Sequence, residues 1–296
     1  MTRTLAIVGA GRAGSALGRR LRKLGWRIGP VITRSEATAR AAVRAIGGGQ
    51  PHAALTRHVL DSGLVLVATP DGAIGEVAGA LARLGGEEWR GKIVLHTSGA
   101  LGSSALEPLA KLGAATGSLH PLQTFSGKSV PALEGVVFTV EGQPAALRAA
   151  RQIARALGGI PVQIEPGRKP AYHAACAFAS GHALALAEAA TRILVSLGFT
   201  RKQAVRALLP LLRQTLGNSE LLGPGAAWTG PLARGDYGTI ALHTTALAAF
   251  PAEYLQAYAA LSRLGARVLG QDSEAMLRAL DAVFRKAGVH EMGELR

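Results

Sequence analysis

The chain has 296 residues, of which 48% are hydrophobic, and this size predicts two domains that each bury a core. The single cysteine, Cys176, excludes an intramolecular disulfide, and the first residues run into an apolar strand rather than a secretory signal, so we expect a cytoplasmic protein. The most apolar segment, residues 171–190, contains His173, His182 and Glu188, which indicates a buried helix rather than a membrane span.

The formal net charge is +14, but the basic residues are spread along helices without interleaved aromatic residues, so the pattern argues against a nucleic-acid-binding protein. The charge is concentrated near the start: residues 1–50 contain ten Lys or Arg and one acidic residue, Glu36. Two interpretations remain for this excess. It is either an arginine-rich, solvated helix face or a field that attracts a small polyanion.

Up to residue 165, short apolar strands alternate with amphipathic helices, which predicts a mostly parallel, doubly wound α/β sheet. Beyond the turn "EPGRKP" only helices are predicted, the first running from Pro170 to about Gly198. The expected domains are therefore residues 1–165 and an all-α domain, 166–296. The predicted strands are 4–9, 27–33, 64–69, 92–97, 114–120, 135–141 and 160–165, and the predicted helices of the first domain are 13–24, 35–46, 74–84, 103–112 and 143–157.

A glycine-rich motif follows the first predicted strand and opens the first helix. Gly9, Gly11 and Gly14 have the G-x-G-x-x-G spacing, with Ala10, Arg12 and Ala13 between them. The first glycine permits the tight turn, the second lets a pyrophosphate approach the backbone, and the third lets helix and strand pack closely. This context predicts a Rossmann-type dinucleotide site.

The end of the second strand carries Thr33, Arg34 and Ser35, where an acidic residue would bind the ribose hydroxyls of NAD. Arg34 and Ser35 suit a 2′-phosphate instead, and Arg12 offers a second cation. We therefore expect NADP rather than NAD, although Glu36 is close enough in sequence to keep NAD as the less favoured alternative.

Further polar residues follow the other strands, and their carboxyl ends meet at one crevice. We expect Ala68, Thr69, Pro70 and Thr97 to contact the cofactor. Asp71 and Ser98 are interpreted either as helix or turn caps or as ligands. "GSLHPLQTF" sets His120 at a strand end over the crevice, with Gln123 at its rim.

Four motifs, "HTSGAL", "GSLHPLQTF", "YHAACAFAS" and "GPLARGD", are similar to those of an uncharacterised bacterial family with a Rossmann-like domain and a C-terminal helical domain of unknown function. More broadly, the chain resembles the 6-phosphogluconate dehydrogenase-like superfamily, which includes pyrroline-5-carboxylate reductase. This resemblance implies that substrate lies between nicotinamide and the first long helix of the second domain. Hydroxyacid dehydrogenases of that group carry a lysine and an asparagine one turn apart there; this chain departs from the pattern, since Lys169 precedes Pro170 and no asparagine follows.

Helix geometry sorts the remaining candidates. His173 and Ser180 are seven residues apart and share a face, whereas His182 points the opposite way. His173 is interpreted either as a catalytic residue or as an interface histidine. Arg234 is expected to bind a substrate anion, and Asp236 to cap the following helix.

The sequence predicts an NADP-dependent oxidoreductase that transfers a hydride between nicotinamide and a small carbonyl, imine or hydroxy compound. The alternatives are a non-catalytic NADP sensor or scaffold and a reductase linked to a deazaflavin coenzyme. No motif has metal-ligand spacing, and neither a nucleic-acid nor a membrane partner is expected. The helical domain is expected to form a homodimer. The predicted catalytic residues are His120, His173 and Ser98, and the predicted substrate ligands are Gln123, Ser180 and Arg234.

Overall fold

The computed structural model of the protein describes residues 4–127 and 130–289. The backbone divides into two compact units, Met1–Gly181 and His182–Arg296. Among the described residues, all the strands belong to the first unit and the second is helical. The sheet ends with a strand at residue 163, so the predicted boundary at 165/166 marks the end of the sheet, while the compact unit also takes in the next helix.

The first unit is built on one eight-stranded sheet in the order β3-β2-β1-β4-β5-β6-β7-β8. All neighbouring strands are parallel except β6 and β7, which are antiparallel. The first six strands have the 3-2-1-4-5-6 order of a Rossmann sheet, whose order reverses beside β1 and opens a ligand crevice there. The predicted mostly parallel sheet is confirmed. Its strands are β1 Thr4–Val8, β2 Arg27–Ile32, β3 Gln50–His52, β4 Leu64–Val67, β5 Ile93–His96, β6 Ala115–Pro121, β7 Val137–Gly142 and β8 Ile160–Gln163.

Helices cover both faces of the sheet, as a doubly wound fold requires. Successive side chains of β1 point to opposite faces: Leu5 and Ile7 join one buried core, whereas Ala6 and Val8 join the other. The first core includes residues of α1, α2 and α5, and the second includes residues of α3 and α4. The helices of this unit are α1 Arg12–Lys23, α2 Glu36–Ile46, α3 Asp71–Gly85, α4 Glu107–Ala110, α5 Pro144–Ala156 and α6 Lys169–Ala177.

Two local elements differ from the sequence-based prediction. Strand β3 was not predicted because "QPH" has no β-branched residue and contains Pro51, which an edge strand tolerates. The helix predicted at 103–112 begins instead as a 3₁₀ turn, Ser103–Leu106, which leads into the short α4. Neither difference alters the order of the sheet.

The second unit contains only helices among its described residues. Its core is formed by α10, α11 and α12, with Ile240, Ala259, Leu280 and Phe284 buried. The helix predicted from Pro170 continues to Ser196 but is interrupted by a π-helical segment, Phe178–His182. The helices of this unit are α7 Ala183–Ser196, α8 Arg201–Leu222, α9 Pro224–Ala227, α10 Tyr237–Leu247, α11 Ala252–Leu269 and α12 Ser273–Lys286.

Candidate functional site

The glycine-rich loop connects β1 to α1, and packing explains two of its three glycines. Gly9 has a φ of +86°, and a Cβ there would lie 2.5 Å from the Thr69 nitrogen. A Cβ on Gly14 would lie 2.8 Å from the Gly9 carbonyl oxygen, whereas one on Gly11 would meet nothing within 4 Å. Gly11 is also the N-cap of α1, whose free N–H groups suit an anion. The loop therefore fits a pyrophosphate.

Several hydroxyl groups lie close together where β2 ends and α2 begins. The Ser35 hydroxyl accepts a hydrogen bond from the Thr38 nitrogen at 3.3 Å, so Ser35 is the N-cap of the helix. The Thr33 hydroxyl lies 3.0 Å from the Ser35 carbonyl oxygen, to which it donates. These bonds hold the turn between β2 and α2 in place.

Only some of the charged side chains beside this turn form ion pairs. The guanidinium of Arg40 binds the Glu36 carboxylate at 2.8 Å, one helical turn along α2. The Arg34 side chain is exposed and forms no ion pair with any residue that the structure describes. The end of β2 thus presents an arginine and a helix N-terminus, while its nearest carboxylate is bound elsewhere.

The residues after β4 and β5 extend the sheet toward the crevice. The Ala68 nitrogen donates to the Val8 carbonyl at 2.7 Å, and the Thr97 nitrogen donates to the Val67 carbonyl at 3.0 Å. These bonds place Ala68 beside the glycine-rich loop and Thr97 beside the end of β4, both at the carboxyl ends of the central strands.

The segment after Ala68 leads directly into α3. Pro70 is the N-cap of this helix without a side-chain cap, and Asp71 is its first residue, so the capping interpretation of Asp71 is wrong. The Thr69 hydroxyl is buried and has no hydrogen-bond partner among the described residues. Thr69 therefore keeps a polar group available at the strand end.

A tight turn after β5 is held by Ser98, whose side chain is buried. Its hydroxyl oxygen accepts hydrogen bonds from the nitrogens of Ala100 and Leu101, at 3.1 and 3.0 Å, which confirms the capping interpretation. The Ser98 nitrogen donates to His96 Nδ1, and His96 Nε2 donates to the Gly102 carbonyl. Burial is the main reason why the pKa of His96 falls to about 4, so this ring is neutral and acts as a brace.

His120, in β6, is paired with a tyrosine of α6. Its Nδ1 lies 2.8 Å from the Tyr172 hydroxyl, and the two rings meet edge to face with their centroids 5.6 Å apart. Burial, then the charge of Lys169, then His173 lower the pKa of His120 to about 4. Burial also raises the pKa of the Tyr172 phenol. Near neutral pH the pair is therefore an uncharged imidazole beside a protonated phenol.

His173 brings a second imidazole to the same place. The His120 and His173 ring centroids are 5.8 Å apart, and a Cβ on Gly99 would lie 2.4 Å from His173 Nδ1 and 2.8 Å from His120 Nε2. His173 Nδ1 is buried and has no hydrogen-bond partner among the described residues. Gly99 thus lets the two imidazoles converge, because any side chain there would separate them.

Lys169, the first residue of α6, is completely buried. Its ammonium donates a hydrogen bond to the Ser98 carbonyl, on the turn that carries Gly99. Burial lowers the pKa of Lys169 to about 8, against the opposing effect of the Glu141 and Asp71 carboxylates. Lys169 is therefore a buried cation that fixes the turn and whose charge adds to the effect of burial in lowering the pKa of His120.

Glu141, in β7, is the carboxylate with the larger opposing effect on the pKa of Lys169 and is itself buried. One carboxylate oxygen accepts hydrogen bonds from the Ser103 nitrogen and hydroxyl, at 3.1 and 3.0 Å. The other has no partner among the described residues. A buried carboxylate of this kind reduces the electrostatic penalty of burying the lysine.

Sequence reasoning missed Lys169 and Tyr172 as site residues. The signal that could have found them is the helical spacing within "KPAYH": Tyr172 and His173 follow Lys169 by three and four positions, so all three lie on one side of α6. What the sequence does not reveal is that this side faces His120, 52 positions earlier.

The remaining predicted ligands make local bonds. Gln123 donates to the Ala132 carbonyl at 3.3 Å and accepts from the Thr124 nitrogen at 2.8 Å. The Ser180 hydroxyl donates to the Cys176 carbonyl at 2.6 Å.

In the second unit, Asp236 caps α10 by accepting from the Thr239 nitrogen at 3.0 Å, so the capping interpretation is confirmed. Arg234 is exposed, and its charge contributes to lowering the pKa of Asp236, after the Thr239 hydrogen bonds.

Two other kinds of site receive no support from residues 4–127 and 130–289. No group of three or more His, Cys, Asp or Glu side chains in these ranges is arranged to hold a metal ion. No helix in them is long and apolar enough to cross a bilayer.

Comparison with protein families agrees with this architecture. Residues 2–121 match the model of a Rossmann-like domain, and residues 136–264 match that of a domain of unknown function, DUF2520. The chain combines a Rossmann-like domain with a DUF2520 domain. The resemblance inferred from the four motifs is thereby confirmed. The DUF2520 match begins just before β7, so His120 belongs to the Rossmann-like match and Tyr172 to the DUF2520 match.

Several solved structures share the fold. BF3122 from Bacteroides fragilis, to which NADP oxidoreductase activity is ascribed, is 23% identical, with a TM-score of 0.72 over 88% of this chain and 96% of its own. The reductive aminase from Aspergillus terreus, solved with NADPH and ethyl-5-oxohexanoate, is 20% identical, with a TM-score of 0.68 over 94% and 99%. An imine reductase from Pseudomonas sp. is also 20% identical, with a TM-score of 0.66 over 95% and 100%. No curated protein sequence matches the chain at a significant level.

Proposed function

We propose that this protein is an NADP(H)-dependent oxidoreductase acting on a small carbonyl, imine or hydroxy compound. The observation that carries the proposal is the convergence of His120, Tyr172 and His173 around Gly99, at the carboxyl edge of a Rossmann-like sheet. The structural likeness to an NADPH-bound reductive aminase and to an imine reductase supports it.

The residues that would hold the cofactor are those at the strand ends. The pyrophosphate would bind the glycine-rich loop and the N-terminus of α1, which the open approach at Gly11 permits. When bound, the cofactor supplies or accepts the hydride. The full set of proposed cofactor ligands is Gly9, Ala10, Gly11, Arg12, Ala13, Gly14, Thr33, Arg34, Ser35, Ala68, Thr69, Pro70 and Thr97.

NADP is favoured over NAD by the charges at the end of β2. Arg34 has no ion-pair partner among the described residues, whereas Glu36, the acidic candidate for a ribose ligand, is bound to Arg40. We expect Arg34→Ala to weaken NADPH binding by at least about tenfold, the loss of a hydrogen bond to a charged group, and to leave NADH binding unchanged. Fluorescence titration with both cofactors measures this, and Arg83→Ala, a charge loss in the last turn of α3, is the control.

We assign substrate polarisation, proton transfer and positioning to residues of the site. We assign the Tyr172 proton to a hydrogen bond donated to His120 Nδ1, which leaves the His120 proton on Nε2, beside Gly99. A neutral imidazole N–H in this position polarises a carbonyl oxygen or imine nitrogen. His173 Nδ1 delivers or accepts the proton, and Ser98 positions the turn between the rings. Gln123, Ser180 and Arg234 are proposed to contact the substrate.

Turnover separates this proposal from its alternatives. With the enzyme in excess, NADPH absorbance is followed against a panel of imines, keto acids and aldehydes, and loss of absorbance with at least one class is expected. Tight NADPH binding without any turnover would support a sensor or scaffold instead. That alternative is favoured by one departure from the hydroxyacid dehydrogenase pattern, the absence of an asparagine one turn after Lys169. NADP reduction only when a deazaflavin coenzyme is supplied would identify the third function.

The helical unit is proposed to form a homodimer through α7 and α8. These helices pack on each other, and the segment that they span exposes a set of leucines whose burial would stabilise an interface. Light scattering should give a dimer mass that Leu216→Glu lowers and Leu242→Glu, on α10, does not; a monomeric wild type would contradict it. The leucines, each at least 62% exposed, are Leu184, Leu197, Leu211, Leu216, Leu221 and Leu222.

A further inference from the structure

A second concave site lies between the C-terminal ends of α1 and α2. It has a volume of about 250 Å³, and four basic side chains line it together with the last residues of α2. We call it the α1–α2 pocket. Its basic residues are Arg19, Arg22, Lys23 and Arg44.

None of these four side chains has an ion-pair or hydrogen-bond partner among the described residues. Helix C-termini attract cations, so the helix ends alone explain part of the cluster. Each end carries roughly −0.5 of a charge, about −1 for two helices, against +4 from the side chains. About +3 is left over, which is far more than the helix ends require.

Arg22 lines the pocket beside two glycines at the end of α2. A Cβ on Gly48 would lie 2.7 Å from Arg22 Nε, and one on Gly47 would lie 3.2 Å from its Nη1. The guanidinium therefore lies against the backbone of these two glycines, at the end of α2. The Arg22 side chain is otherwise exposed, so its guanidinium remains open to a ligand.

The pocket is separate from the proposed cofactor site. Arg12 is the first residue of α1 and Lys23 the last, so about 16 Å of helix lies between them. Arg34 likewise precedes α2, whereas Arg44 and Gly47 are at its other end. The cofactor phosphates would therefore not neutralise the excess positive charge of this pocket.

We propose that the α1–α2 pocket binds a compact anion that carries two or more phosphate groups. Arginine forks match phosphate oxygens, and several cations around one concavity favour a multivalent anion over a single carboxylate. The volume is below that of a drug-sized cleft, which indicates a small ligand. No aromatic side chain lines the pocket, so the stacking that single-stranded nucleic acid uses is absent there.

Inorganic pyrophosphate is the probe, measured by calorimetry on the full chain. We expect Arg22→Ala/Arg44→Ala to weaken binding by at least about tenfold, and Arg19→Gln/Lys23→Gln to do the same, since each pair removes two charge-assisted contacts. Arg12→Ala/Arg34→Ala removes two charges at the cofactor site, and Arg206→Ala/Arg213→Ala removes two from α8. The glycine-rich loop also fits a pyrophosphate, so Arg12→Ala/Arg34→Ala separates binding at that loop from binding in the pocket: pyrophosphate should still bind this variant, and the pocket substitutions should weaken the binding that remains. The α8 pair should retain wild-type affinity.

Each contrary result overturns the proposal. The proposal fails if the wild-type protein does not bind pyrophosphate at low ionic strength. It also fails if the α8 pair weakens pyrophosphate binding as much as a pocket pair does. Loss of binding only in Arg12→Ala/Arg34→Ala would assign pyrophosphate to the cofactor site. Tighter binding of a short DNA duplex than of pyrophosphate, lost in the same pocket variants, would identify a nucleic-acid surface instead.

Discussion

The Tyr172 hydroxyl lies 2.8 Å from His120 Nδ1, a contact that joins β6 to α6 across 52 positions of sequence. It fixes one nitrogen of the imidazole and leaves the other, Nε2, beside Gly99 and His173. A strand end at a Rossmann crevice is thereby given an oriented, uncharged imidazole, which is the centre of the proposed chemistry.

Removing the Tyr172 hydroxyl should lower catalysis at His120 without unfolding the protein. We expect Tyr172→Phe to lower kcat by at least about tenfold, because His120 loses the group that orients it, and to leave the Kd of NADPH unchanged. Tyr258→Phe is a matched control, since Tyr258 lies 2.8 Å from His243 Nδ1 in a similar edge-to-face pair. Each variant loses one hydrogen bond, about 1 kcal/mol of stability. Equal loss of kcat in both would contradict the assignment.

Replacing Lys169 should change the titration of His120. Because burial, which remains, is the largest cause of the lowered His120 pKa and the Lys169 charge is the second, Lys169→Met should raise this pKa from about 4 but leave it below 6.5. NMR titration of the ring carbons measures the change. The control is Lys92→Met, which also removes a lysine bonded to a backbone carbonyl, that of Leu60. An unchanged His120 pKa in Lys169→Met would show that the buried charge has no influence there.

A methyl group at position 99 should force the imidazoles apart. Gly99→Ala would place Cβ 2.4 Å from His173 Nδ1, and relieving that overlap costs about 1–3 kcal/mol of stability. Turnover should fall with it while NADPH still binds. Gly217→Ala, in α8, is the control because a Cβ there meets nothing within 4 Å. If Gly99→Ala keeps full turnover, the two rings do not act together.

The buried histidines should make the protein sensitive to acid. His96 and His120 have folded-state pKa values of about 4 against 6.5 when unfolded, so between these pH values the unfolded chain binds more protons. The free energy of unfolding should therefore decrease as the pH falls from 6.5 to 4, by up to about 3 kcal/mol per histidine. Urea unfolding across this window measures the slope. The double variant His96→Asn/His120→Gln should flatten it, and an equally steep slope in that variant would assign the effect to other groups.

The sequence predicts those parts of the structure that are determined by residues close together in the chain. Alternating apolar strands and helices predict the sheet, and the spacing of Gly9, Gly11 and Gly14 predicts the tight glycine-rich turn after β1, because both depend on residues close together in the chain. Lys169 and Tyr172 are not predicted as site residues, since their roles arise from burial and from contacts with the turn after β5 and with β6 that form only on folding. The capping interpretation of Asp71 is wrong because Pro70 is the N-cap and Asp71 is already the first residue of the helix.

The central claim is that the His120 and His173 rings lie beside the nicotinamide of bound NADPH. Histidine-ring NMR during titration with NADPH tests it without any knowledge of the substrate, and adenosine 2′,5′-bisphosphate, which lacks nicotinamide, is the matched ligand. The account predicts that the His120 and His173 signals shift with NADPH but not with the bisphosphate, while the His243 signal stays unchanged with both. Saturating NADPH that leaves the His120 and His173 signals where they were would contradict it.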